Sequence, residues 1–432
     1  MDWEVLRAQL GGVPLARATG RVLAVRGVTL RLALPGVRLG DVVTIRRRGE
    51  PLQAEVVGFE QGEAVAVALG DLLGVGPDDP VEGGGAPLRV EFGEHLVGHV
   101  LDARGRPLDG RRLTGAVTCV PVHRAPPAPF ERVPIEHVTM TGVRAIDGLL
   151  TIGRGQRLGL FAGAGVGKSE LLAQLARSAE VDVVVVGLVG ERGREVVEFL
   201  ERGLGEEGRR RAVVVVATSD APPLERIRAA ETATAIAEGF RDAGRHVLLL
   251  VDSLTRLARA QREVGLASGE PPGRRGYPPS VFALLPRLLE RAGATQRGAI
   301  TAVYAVLTEG DELDEPIADE VRGILDGHIV LARRLAERGH FPAIDVAASL
   351  SRSMPRLVEG AQLAAAARVR RWWAAREEKR DLIALGGYQR GSDTAVDGAL
   401  SRWARIERFL RQGHDERVPL AETIRELLAL AE

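Results

Sequence analysis

Cysteine is nearly absent. Cys119 is the single thiol in 432 residues, so no intramolecular disulfide framework can form, and a reducing cytosol is the expected setting. Aromatic residues make up only 4% of the chain, and the first 92 positions carry just Trp3, Phe59 and Phe92. A platform for single-stranded nucleic acid needs aromatic faces on which bases stack, so none is expected there, and no specific nucleic-acid partner. Neither sign of charge is in excess: 58 Lys plus Arg balance 58 Asp plus Glu, leaving no overall field to draw nucleic acid or anionic membrane. Apolar runs all fall short of the roughly 18 residues a spanning helix needs, and the start Met1-Asp2-Trp3-Glu4 lacks the basic, apolar pattern of an export signal. A cytoplasmic protein of two or three domains is expected.

What is present is organised around the stretch Leu158-Gly159-Leu160-Phe161-Ala162-Gly163-Ala164-Gly165-Val166-Gly167-Lys168-Ser169. An apolar strand runs into a glycine loop and ends on Gly-Lys-Ser before a helical pattern that opens with Glu170, which is the order of a phosphate cradle. Gly163, Gly165 and Gly167 let the backbone curl so that successive N–H groups point at phosphate oxygens. Lys168 is expected to reach the β- and γ-phosphates of a nucleotide, and the Ser169 hydroxyl to sit on Mg²⁺. One departure stands out: the full pattern has glycine where this chain has Ala162.

Before the cradle, short β-prone runs alternate with glycines from about Gly20 to Phe92: Val22–Val25, Val28–Leu34, Val42–Ile45, Gln53–Phe59 and Ala64–Leu69. Five or six such strands predict a small closed β-barrel, read as a structural collar. A Pro-rich crossing, Pro121–Pro134, marks a tether. The centre alternates helices with continuous apolar strands at Leu158–Phe161, Val183–Val189, Ala212–Ala217, Val247–Val251 and Ile300–Leu307. Such runs suit strands buried on both faces, hence a mostly parallel sheet whose carboxyl-end loops bind the ligand. From Pro355 onward, patterns at Leu357–Ala375, Glu377–Leu385, Val396–Arg411 and Leu420–Leu430 predict a helical bundle. The chain thus reads as an α/β protein in three units: 1–92 barrel, 93–354 nucleotide-binding domain of RecA-like P-loop type, and 355–432 helical domain.

Two further strand ends carry chemistry. Leu248–Val251 runs into Asp252, expected to hold the Mg²⁺ shell opposite Ser169. Gly187-Leu188-Val189-Gly190-Glu191-Arg192-Gly193-Arg194-Glu195 ends another strand with an acid able to orient water and bases able to take up phosphoryl charge. Taken alone, it equally suits a solvated helix start.

With these pieces in view, the sequence resembles the ATPase family of type III protein export, itself similar to the catalytic subunits of rotary ATP synthases. The resemblance rests on Gly276–Phe282, Leu307–Asp311, Asp314–Asp319 and Pro342–Ser351, and it covers the chain from about Gly20 to the end. It implies that Glu191 is the catalytic glutamate, that Arg192 and Arg256 sense phosphate, and that Glu195 helps hold the waters of Mg²⁺. Phe341 falls on the aromatic that stacks on adenine, and Arg352 on an arginine lent to the neighbouring subunit's nucleotide. ATP and Mg²⁺ are then substrate and cofactor. The expected partners are further copies of the chain in a six-membered ring, a central stalk and regulator proteins, and secreted proteins with their chaperones. Peripheral membrane association through the secretion apparatus follows, at its cytoplasmic face. Leu34–Gly40 and Tyr388–Asp393 lean toward the injectisome branch over the flagellar one.

Two surface expectations accompany this reading. Val264–Glu270, within a Gly- and Pro-fixed loop, is either a contact for the stalk or substrate or a plain intersubunit loop. Arg368, Arg370, Arg371, Arg376, Lys379 and Arg380 around Trp372 and Trp373 are either a docking surface for acidic chaperones or a solvated helix face, with the tryptophans alternatively packing between subunits.

Overall fold

A computed structural model describes residues 18–115, 118–308 and 314–432. Trp3 and the Glu309-Gly310-Asp311 part of one quoted motif lie outside the described residues.

Six described strands close the first unit: β1 (Thr19–Arg26), β2 (Thr29–Ala33), β3 (Asp41–Ile45), β4 (Leu52–Glu60), β5 (Glu63–Leu69) and β6 (Pro80–Pro87), in the order β1-β2-β5-β4-β3-β6. Alternation explains closure: along β3, Val43 and Ile45 turn inward to meet Leu30, Leu32 and Val56 in a core of the barrel's own. The sixth strand went unnamed in the sequence because Gly83-Gly84-Gly85 gives it no β-prone signature. Phe59 is the single aromatic among the described barrel residues, and it stands alone on the surface at 54% exposure.

Beyond the barrel, β7 (Arg89–Phe92) pairs with β9 (Thr118–Pro121), and β8 (Val100–Leu101) adds to the edge of the central sheet. That sheet is built on β10 (Arg157–Ala162), β11 (Val183–Glu191), β12 (Ala212–Thr218), β13 (His246–Asp252), β15 (Ala299–Leu307) and β16 (Gly327–Leu331), all parallel. Short β14 (Gly293–Ala294) and β17 (Leu350–Ser351) join it antiparallel. β11 and β13 are buried at every position, which is why they read as unbroken apolar runs.

Each face of this sheet anchors a different neighbour. One face shares a hydrophobic cluster with the C-terminal helices, joining Leu160, Leu172 and Val186 to Val369, Trp373, Phe409 and Leu427. The other packs under the helix Pro223–Asp242 and meets the barrel through Val67 and Leu69. A buried ion cluster reinforces that second seam. Arg228 of the helix donates to both Glu55 oxygens of β4, at 2.8 and 2.6 Å, and also contacts Glu231. Burial pushes the Glu55 carboxyl up, but the Arg228 charge and the hydrogen bonds from His123 and Arg228 outweigh it and hold the group at about 2.

The C-terminal helices run Gly360–Glu378, Arg380–Ala384, Thr394–Leu410 and Leu420–Ala431. The tryptophans belong to this chain's own core. Trp373 is 1% exposed and stacks on Trp403 at 5.0 Å, and Trp372 is buried beneath Arg402. The basic cluster is likewise partly consumed: Arg368 donates to the Ala431 carbonyl, Arg370 to that of Ser349, and Arg376 lies 3.8 Å over the Trp403 ring. A chaperone surface centred on those tryptophans is therefore set aside. The loop read over 264–270 is also revised at its start. The helix Leu254–Ala267 continues through it, burying Val264 and leaving Leu266 exposed. Among the described residues, no helix is long and apolar enough to cross a membrane.

Candidate functional site

Parallel pairing of β10, β11 and β13 brings their carboxyl ends to one edge, and the three sequence motifs meet there. After Ala162 the chain turns through residues 163–167 into the helix Lys168–Ser178, whose amino end faces the loop. Gly165 and Gly167 hold φ of +76° and +92°, a left-handed backbone that side chains resist. Ala162 is still in strand geometry, with its carbonyl accepting from Thr308 N–H at 3.1 Å, so glycine's freedom is not required there.

Lys168 leads from the loop into an acidic nest. Its Nζ lies 3.3 Å from Glu191 Oε1 and contacts Asp252 Oδ1 directly. Glu191 sits at an irregularity in the pairing of β11 with β12, where Gly190 adopts φ +70° and the regular alternation breaks. A bulge of this kind re-aims the side chain that follows it. Arg256, from the helix after β13, brings its guanidinium to 2.5 Å from Glu191 Oε2 and donates to the Gly190 carbonyl at 2.7 Å. Burial pushes the Glu191 carboxyl up, but a hydrogen bond with Glu195 and the charges of Lys168 and Arg256 prevail and hold it below the usual carboxylate range. Glu195 moves the opposite way, raised by its hydrogen bond with Glu191. The two carboxyls are thus shifted in opposite senses, Glu191 favouring its charged form more than Glu195 does. Arg192 stands at the rim, 78% exposed and 3.7 Å from Glu195. Ser169 and Glu170 are exposed at the head of the helix.

Phe341, half-exposed, packs over the loop, its ring 3.5 Å from where a β-carbon on Gly167 would stand. It lines a cavity of about 470 Å³ together with Glu170, Gln174, Arg202, Gln412 and His414. Sequence reasoning named Phe341 and Glu170 here but missed Gln174, Arg202, Gln412 and His414. No motif marks them, and they converge from three distant segments only in the fold.

Arg352 is placed far from this assembly. It follows β17, and its N–H donates to the Asp326 carbonyl at 3.0 Å, beside the Arg157 end of β10. The cradle begins at the other end of that strand, five residues on, or about 16 Å away at strand rise. Arg352 is exposed there.

A glycine loop feeding a helix, a lysine between two strand-end carboxylates and a parallel sheet define a P-loop nucleotide hydrolase, here framed by a β-barrel and a helical bundle. The ATP synthase alpha/beta family, nucleotide-binding domain, matches residues 142–351, and the C-terminal domain of the type III secretion ATPase EscN matches residues 358–429. The flagellum-specific ATP synthase of Bacillus subtilis is 49% identical over 95% of this chain and 94% of its own length. The type 3 secretion system ATPase of Xanthomonas euvesicatoria is 51% identical over 95% and 93%. Among solved structures, the assembled ATPase EscN of enteropathogenic E. coli, in complex with its central stalk EscO, superposes with a TM-score of 0.88 at 42% identity, covering 96% of this chain and 100% of that one. This chain belongs to the family of type III secretion and flagellum-specific ATPases, and it hydrolyses ATP.

Proposed function

We propose that this chain drives bacterial protein export as a ring of identical copies, six in number, converting ATP hydrolysis into release and unfolding of secreted proteins delivered with chaperones. Its relatives of the two branches are 49% and 51% identical to it, so the function proposed is the one common to injectisome and flagellar export. The chain would sit at the cytoplasmic face of the secretion apparatus, around a central stalk and with regulator proteins, as the stalk complex of the E. coli relative suggests.

Within one pocket, the backbone N–H groups from Gly163 to Gly167 and the Lys168 ammonium bind and orient the phosphates, while Phe341 stacks on the base. Ionised Glu191 accepts a proton from the attacking water, held in place by Arg256 and by Glu195. Arg192, exposed at the rim and loosely paired with Glu195, would swing from that contact toward the phosphates. The donor set suits Mg²⁺. Its candidate donors, the Ser169 hydroxyl and the Asp252 and Glu195 carboxyls, are hard oxygens, the kind Mg²⁺ takes together with waters and substrate phosphates. Ser169 would hold it directly, with Asp252 and Glu195 on its waters; when bound, the ion supplies charge neutralisation on the phosphates.

The observation that carries the ring is the separation of Arg352 from its own cradle by about 16 Å of strand, beyond an arginine's reach. An arginine so placed serves a neighbour's nucleotide, and each copy both gives and receives. The contribution of such an arginine is typically about 10³ to 10⁵ in rate, or roughly 4 to 7 kcal/mol of barrier. ATPase rate per chain should therefore rise with protein concentration for the wild type and stay flat and low for Arg352→Ala. Full activity in dilute single chains, or an unimpaired variant, would refute the shared pocket.

A further inference from the structure

Phe341 hangs from the C-terminal region. Gln412, 6% exposed, donates its backbone N–H to the Phe341 carbonyl at 2.9 Å. Its side chain is fully engaged: Oε1 accepts from Arg144 N–H at 2.8 Å, while Nε2 donates to the carbonyls of Gly142 at 2.6 Å and Glu416 at 2.8 Å. The neighbourhood is stapled in the same manner. Gln174, on the helix that leaves the cradle, donates to the Gly413 and Glu416 carbonyls, each at 3.2 Å. Arg144 donates to the carbonyls of Phe409 at 3.0 Å and Arg411 at 2.6 Å.

We infer that Gln412 is a positioning residue for the nucleotide, acting through Phe341: its amide fixes the segment from which the ring's backbone is suspended, and so sets how squarely the ring meets the base. The inference rests on the base-stacking role proposed for Phe341 above. Removing the amide leaves the Arg144 N–H without its partner and takes one of two donors from the Gly142 carbonyl, which keeps the Val418 N–H at 3.2 Å, so the segment must shift to restore what is lost. Stacking tolerates little displacement, because its attraction depends on ring separation and offset. Since the base is held alike in ground and transition states, the loss falls on KM and spares kcat.

The test uses the full chain with Gln412→Ala, Phe341→Ala and the double variant. It reads KM and kcat for ATP, and the competitive inhibition constant of inorganic tripolyphosphate, which has no base. Gln412→Ala should raise KM about tenfold, the scale of one lost base stack, with kcat and the tripolyphosphate constant unchanged. The double variant should be no worse than Phe341→Ala, because both remove one interaction. An unchanged KM, a weakening shared by tripolyphosphate, or additive losses would overturn the role of Gln412. Should the alanine variant unfold, Gln412→Met, which keeps the bulk and removes the amide, is read by the same criteria. Failure of the stacking role itself shows separately, as a Phe341→Ala enzyme with wild-type KM.

Discussion

Arg256 and Glu191 form a pair at 2.5 Å across the end of two adjacent parallel strands, with the arginine also gripping the carbonyl of Gly190 just before the acid. The acid's charged form is thereby favoured and pointed to one place, as the role of water-activating base proposed for it requires. Glycine at 190 is part of the arrangement: a β-carbon there would lie 3.1 Å from the Arg256 side chain, at a backbone φ of +70°.

Glu191→Gln keeps the shape of this pair and removes the carboxylate proposed as the base. Turnover should fall by about 10² to 10⁴, while equilibrium binding of ATP, measured by fluorescence or calorimetry, stays near wild type. Retained turnover would reject Glu191 as the base.

The seam between barrel and sheet should be acid-sensitive. Glu55 has a folded value of about 2, below the 4.5 of the free side chain, so its stabilisation is complete above pH 4.5 and drains away as pH falls toward 2. The difference amounts to about 3 kcal/mol. Chemical denaturation between pH 7 and pH 3.5 should show Glu55→Gln less stable at neutral pH and less sensitive to acid than the wild type. Equal slopes for the two would remove Glu55 from the account.

Trp373 is a core residue of this chain, stacked on Trp403 and 1% exposed. Trp373→Ala should cost about 3 to 5 kcal/mol, read as a lowered unfolding midpoint, whereas Arg371→Glu, on the exposed side of the same helix, should change stability by less than about 0.5 kcal/mol.

Leu266, 40% exposed at the end of its helix, is the accessible apolar group of the segment read as a stalk or substrate contact. Leu266→Asp should abolish secretion in cells while leaving purified ATPase activity intact. Unimpaired secretion would assign the segment no role in coupling.

The sequence by itself settled what local chemistry can settle. Alternation and glycine spacing marked the barrel strands, unbroken apolar runs marked β10, β11, β12, β13 and β15, and the cradle could be read because its residues are contiguous and each has a backbone reason to be there. It also marked Asp252 and Glu191 as acids ending apolar strands, though the strand end alone left Glu191 open to a solvated helix start and only the family resemblance implied its catalytic role. Only the tertiary structure decided what depends on segments far apart in the chain: that Trp372 and Trp373 face inward, that Gln412 from the C-terminal region suspends Phe341, that Arg228 locks the barrel through Glu55, and that Arg352 lies at the far end of its own sheet. Periodicity reports which face of an element is apolar, but not which distant surface covers it, and a hydrogen bond between residues 341 and 412 leaves no trace in the composition of either neighbourhood.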